Sequence, residues 1–279
     1  MAELVGAYAA SHGPLIARDW HKLPPVPKDR LAAAYRELGR RLAAARPDAI
    51  VVVSPDHWTN FFLNNLPSVC IGVGEVHQGP PEPFLKDFPH KSLPGHPALA
   101  NHIFAAAIAA EFEPSISHHL TLDHGFCIPL WRMELDRLPC LIPLVVNDLE
   151  PPMPRIRRCL AWGKLLARAI ESYPEDLRVA VLATGGLSHS IGEPTMGDID
   201  EPFDRGCIKA FAAGSEAPLV EFLEAGLAHT GNGGHEVRNW VVAHGAAGSR
   251  GFELIDYLPV PEVYVGCAFA AWKPAGPAG

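Results

Sequence analysis

No apolar run in this chain reaches the roughly 18 residues that a membrane-spanning helix needs. The first residues carry no basic region ahead of an apolar core. No signal peptide is therefore expected, and the chain is expected in the cytoplasm. Positive charge is scarce: 23 Lys and Arg face 31 Asp and Glu, a formal charge of −8. That balance argues against non-specific binding to nucleic acid or to an anionic membrane. The one dense basic run, Arg155 to Arg158, falls on an expected helix and reads as a solvated face. The six cysteines (70, 127, 140, 159, 207 and 267) are scattered and form no C-x-x-C pair. A zinc-finger or disulfide framework is thereby excluded, and a reduced compartment fits. Internal repeats and long linkers are missing too, so residues 1–279 are expected to form one domain.

Histidine is what the chain has in excess, with fourteen in 279 residues, and histidine is the commonest metal ligand. Their placement is informative. Ala49 to Val53 is β-branched and uncharged, which reads as a strand buried on both faces. Pro55 stops it and His57 follows. Leu4 to Ala9 is a second apolar strand, followed by Ser11-His12-Gly13. Val179 to Ala183 is a third, followed by Gly185-Gly186-Leu187-Ser188-His189. In open α/β sheets, ligands bind beyond the carboxyl ends of the strands.

The remaining elements alternate, as in an α/β fold. Helices are expected over 30–45, 97–111, 156–170, 202–213, 216–225 and 235–247. Further strands are expected over 59–63, 69–73, 139–146, 252–257 and 263–269. Residues 75–97 hold six prolines and read as a long irregular segment, either a wall or lid over the site or a surface excursion. Residues 273–279 read as a flexible tail.

Two imidazoles and one carboxylate with an open face make a site for non-haem Fe(II) and O2. His12 and His57 can supply the imidazoles. Glu236 can supply the carboxylate, because it follows a glycine turn and opens a helix. It reads equally as a first-turn acid favoured by the helix dipole. His124 and His189 are candidates for proton transfer near neutral pH, or structural histidines bonded to backbone. No residue stands out as a substrate anchor.

Five stretches now carry a resemblance. They are Ser11-His12-Gly13, Ser54-Pro55-Asp56-His57-Trp58, Asp123-His124-Gly125-Phe126, Gly186-Leu187-Ser188-His189 and His235-Glu236-Val237-Arg238-Asn239-Trp240. In this order the chain resembles the class III (LigB-type) extradiol ring-cleavage dioxygenases over most of residues 5 to 270. The resemblance implies a central mixed sheet flanked by helices. It implies His12, His57 and Glu236 on Fe(2+), His189 as the acid–base residue and His124 beside the substrate. The implied partners are O2 and a small aromatic diol of catechol, protocatechuate, gallate or dihydroxypyridine type. A homo-oligomer is expected, with a small accessory subunit as an option, since related enzymes carry a fused small domain or a separate small subunit. Two alternatives belong to the same resemblance: a zinc-dependent DOPA-cleaving type, and a Memo-like binding protein without ring-cleaving activity. His118, His119 and His235 receive no role from it.

Overall fold

The computed structural model describes residues 1–273. In chain order its elements are β1 (Glu3–Ala10), α1 (Leu15–Arg18), α2 (Pro25–Ala45), β2 (Ala49–Ser54), β3 (Val69–Gly72), β4 (Val76–Gln78), β5 (Ser92–Pro94), α3 (Pro97–Ala109) and β6 (Ser115–Ser117). There follow α4 (His124–Arg132), β7 (Cys140–Val146), α5 (Ile156–Ser172), β8 (Arg178–Thr184), α6 (Glu201–Ala212), α7 (Glu216–Gly226), α8 (Val237–Ala246), β9 (Phe252–Val260) and β10 (Val265–Trp272).

Eight strands form one sheet in the order β6-β3-β7-β2-β8-β1-β10-β9. The middle four, β7, β2, β8 and β1, are parallel. β3 and β10 join them antiparallel, so the sheet is mixed, as the resemblance implies. Helices cover both faces, which is why the central strands are apolar without alternation. On β2, Ala49, Val51 and Val53 pack toward α3, α5, α7 and α8, while Ile50 and Val52 pack toward α2 and α4. Every residue of β2 is buried. Four parallel strands pointing one way bring the ends of β1, β2, β7 and β8 to one edge.

Several expectations need correction. Residues 59–63 are a turn instead of a strand. The Asp56 carboxylate accepts the backbone N–H groups of Thr59, Asn60 and Phe61 at 2.9–3.1 Å, and it curls the chain before a ladder can form. Residues 75–97 are not wholly irregular. β4 and β5 pair antiparallel inside them, and Leu85, Phe88 and Leu93 are buried in the core. The last strand begins at Val265 because Val263 lies in a short 3-10 turn. Helix α4 is an addition, masked in the sequence by Pro129 in its interior. The flexible tail expected over 273–279 lies, beyond Lys273, outside the described residues.

Candidate metal centre

His12 lies two residues past β1. Its support comes from α2, where the Tyr35 hydroxyl donates to the Ser11 carbonyl at 2.6 Å. His12 Nδ1 meets Thr184 Oγ1 at the end of β8 at 3.1 Å, which leaves Nε2 for the cavity. His57 lies three residues past β2. Its backbone N–H and Nδ1 both reach the Asp123 carboxylate, at 2.7 and 3.2 Å. Asp123 also caps α4 through Gly125 N at 2.9 Å, so one carboxylate ties the helix start to the imidazole. His189 Nδ1 lies 2.9 Å from the Leu187 carbonyl. A carbonyl only accepts, so Nδ1 carries the proton and Nε2 is the basic nitrogen. His124 lies at the first turn of α4, with Nδ1 2.7 Å from Glu82 Oε1.

Glu236 enters from a 3-10 turn just before α8. That helix is locked to the end of β8 from its first turn. Asn239 Nδ2 donates to the Thr184 carbonyl at 3.0 Å, and Trp240 Nε1 donates to the Gly185 carbonyl at 2.9 Å. The Glu236-x-x-Asn239-Trp240 spacing thus serves to fix the carboxylate. Its Oε2 accepts Gly186 N–H at 2.7 Å. Its Oε1 lies 3.2 Å from His12 Nε2, 3.4 Å from His57 Nε2 and 3.7 Å from His189 Nε2.

All five expected site residues therefore meet in one cavity of about 310 Å³, with Pro14, Trp58, Leu149, Ile191, Asn232 and Gly233 completing its walls. Side-chain nitrogens of His12, His57 and His124 also lie within 4.8 Å of one another. The other histidines are elsewhere. His235 accepts from Arg238 Nη1 at 2.9 Å, and His118 and His119 are exposed on a separate groove.

The field in the cavity favours positive charge. Burial lowers His12 to about 4, so its imidazole is neutral and its lone pair available. Burial would lower His57 as well, but the Asp123 carboxylate and then Glu236 hold it well above its ordinary value. Burial opposes ionisation of Glu236, yet His12 and His189 hold it well below the usual carboxylate range. An ionised carboxylate among imidazoles, each imidazole held from behind by an oxygen, suits a divalent transition metal, whose own charge would take the place of a proton on His57.

Three supporting carboxylates escaped the sequence reading. Asp123 had a signal, since it precedes a helical run as a cap does. Glu82 had none, because it lies in the proline-rich segment 42 residues before its partner. Asp204, on α6, reads as a first-turn acid but points inward. It accepts Ser188 N at 2.8 Å, Ser188 Oγ at 2.9 Å and the Tyr257 hydroxyl at 2.8 Å, and so anchors the loop that carries His189.

A parallel-strand edge that gathers imidazoles and one carboxylate in a cavity is the arrangement of a metal-dependent α/β enzyme. Residues 6–266 match the family model described as the catalytic LigB subunit of aromatic ring-opening dioxygenase, and the chain belongs to that family. It is similar to a gallate dioxygenase of Pseudomonas putida, 37% identical over 162 residues, covering 54% of this chain and 45% of that protein. The chain thus spans less than half of that relative. It is also similar to a 2,3-dihydroxyphenylpropionate/2,3-dihydroxicinnamic acid 1,2-dioxygenase of Paraburkholderia xenovorans, 29% identical over 81% of this chain and 87% of that one. A crystal structure of an uncharacterized Escherichia coli K12 protein shares the fold, with a TM-score of 0.65 at 17% identity, covering 96% of this chain and 99% of that one. Among the described residues no helix is long and apolar enough to cross a membrane.

Proposed function

We propose that this chain is an Fe(II)-dependent extradiol dioxygenase that inserts both atoms of O2 to open a vicinal-diol aromatic ring. His12, His57 and Glu236 would hold the metal. When bound, Fe(II) supplies Lewis acidity toward the diol oxygens and an electron path between the ring and O2. The observation that carries this reading is the place of Glu236 Oε1, within 3.7 Å of the Nε2 atoms of three histidines, while Oε2 is tied to Gly186 N–H.

The protein's own part is to position the diol and move its protons. Pro14, Trp58, Leu149 and Ile191 give the cavity apolar walls for a flat ring. With Nδ1–H given to the Leu187 carbonyl, His189 turns its basic Nε2 toward the cavity, and it is the base that takes a hydroxyl proton and later returns it. His124 lies beside His57, with ring centroids 4.0 Å apart, and would flank the bound ring. The relatives' names put gallate and dihydroxyphenylpropionate first among substrates to try, followed by protocatechuate, aminophenols and dihydroxypyridines. A homo-oligomer, with an optional small subunit, is part of the same proposal. Full turnover by the purified chain alone would dispense with that subunit.

The test is anaerobic purification, metal analysis and O2 uptake against that panel. His12→Ala, His57→Ala and Glu236→Ala should each lose metal and activity together. The nearness of the His12, His57 and His124 nitrogens favours a second ligand set, three imidazoles, of the kind zinc also accepts. Metal lost in His124→Ala but kept in Glu236→Ala would select it.

A further inference from the structure

The segment between β4 and β5 is held too firmly to act as a mobile cover. Gln78 N donates to the Leu120 carbonyl at 3.0 Å, and Leu122 N donates to the Gln78 carbonyl at 2.8 Å. Strand β4 is thereby stitched to the residues that lead into α4. Leu85 and Phe88 then plug the segment into the core beside α4. Between these anchors stands Glu82. Its Oε1 lies 2.9 Å from His124 N and 2.7 Å from His124 Nδ1. Its Oε2 is buried without a hydrogen-bond partner among the described residues. A carboxylate does not give up hydration on one oxygen unless its position is imposed. Here the anchored segment imposes it.

We propose that Glu82 is a positioning residue for the reaction: it holds the His124 imidazole in the tautomer whose Nδ1 carries the proton and whose Nε2 serves the cavity. This rests on the reading of His124 as a substrate-side group. The backbone contact fixes where α4 begins and the ring contact fixes which nitrogen is free, so a single oxygen sets both position and tautomer. Asp123, next in sequence to His124, does the same for His57 through its backbone N–H and Nδ1. The two acids at the start of α4 therefore divide two histidines between them. The 75–97 segment then backs the site from behind His124, and its contribution to the chemistry is one carboxylate.

The test is a double-mutant cycle with an independent spectroscopic readout. Turnover would be compared for the wild type, Glu82→Ala, His124→Ala and the double variant, each with its metal content measured. Loss of such a supporting partner typically costs about 10–100-fold in activity, and Glu82→Ala should fall in that range with metal retained. Because Glu82 acts through His124, the double variant should be no slower than His124→Ala. Glu82→Gln keeps an oxygen acceptor and should recover most of the loss. In metal-free protein, long-range proton–nitrogen NMR should show His124 protonated at Nδ1, and Glu82→Ala should abolish that signature. If the alanine variant does not fold, Glu82→Asp withdraws the carboxylate by one methylene and serves in its place. Additive losses in the cycle, a glutamine variant as poor as alanine, or an unchanged Nδ1 signature would each overturn the proposal. A wild type that opens no diol would instead overturn the reading beneath it, while the NMR comparison would still decide the Glu82–His124 contact.

Discussion

His189→Asn should keep its metal and still bind the diol, while turnover falls by about 10²–10⁴. Metal content, anaerobic binding and rate on one sample decide it, and loss of metal would make His189 a ligand. Gly233 lies directly against that ring, where a Cβ would overlap the imidazole of His189. Gly233→Ala should therefore reproduce much of the His189→Asn loss without removing any functional atom, which a crystal structure of the variant would show as a displaced ring. Asp204 gives a pH prediction. Burial raises its carboxyl to about 6, against hydrogen bonds from Ser188 and Tyr257. The folded state thus holds this proton more tightly than the unfolded chain does. Its contribution to stability is fully present below the ordinary value near 4 and is lost as pH rises through about 6. The difference is of order 3 kcal/mol. Urea unfolding between pH 4 and 7 should show that slope in the wild type and not in Asp204→Asn; equal slopes would refute it.

Helices α5 and α8 cross so closely that a Cβ on Gly163 would overlap the Val242 carbonyl. Gly163→Ala must push α8 outward at a cost of about 1–3 kcal/mol, and Glu236 leads straight into α8. Thermal unfolding should register the cost, and a matching drop in metal affinity would show that the crossing sets the carboxylate. Unaltered affinity would show that Trp240 and Asn239 hold Glu236 on their own. At this scale the sequence was most legible where one force acts alone. β2 announces itself because burial on both faces demands an uncharged β-branched run. Residues 59–63 have the right composition for a strand, but Asp56 offers their N–H groups a nearer acceptor. Helix α4 was hidden because Pro129 suppresses the helical pattern, although burial of Phe126, Cys127, Ile128 and Leu130 outweighs the missing donor. Among the candidate site residues, His12, His57, His189 and Glu236 could be read because each stands past a recognisable strand or glycine turn, whereas His124 was named through the Asp123-His124-Gly125-Phe126 stretch. Glu82 could not, since nothing in residues 75–97 says which of their acids the β4–β5 pairing turns inward.

For the whole molecule, the buried cluster predicts a link between metal and stability. Metal held at a hundred times its dissociation constant stabilises a fold by about 2.7 kcal/mol. A chelator should therefore lower the unfolding temperature and abolish turnover together. Fe(II) should restore both, whereas Zn(II) should restore stability alone; turnover regained with Zn(II) would assign the other metal.

His12 and Glu236 are 224 residues apart, and His57 and Glu236 are 179 apart, although their atoms nearly touch. Parallel pairing at such sequence distances makes for slow folding. An unfolded or half-synthesised chain offers a cation scattered histidines and no pocket. On the proposed ligand set, a metal would not nucleate the sheet; it would arrive at an edge already built. During synthesis His12 leaves the ribosome 224 residues before Glu236, so a chain interrupted before α8 carries imidazoles without the carboxylate. On the ligand set proposed above, such a fragment would lack its carboxylate and would not hold iron ready for O2.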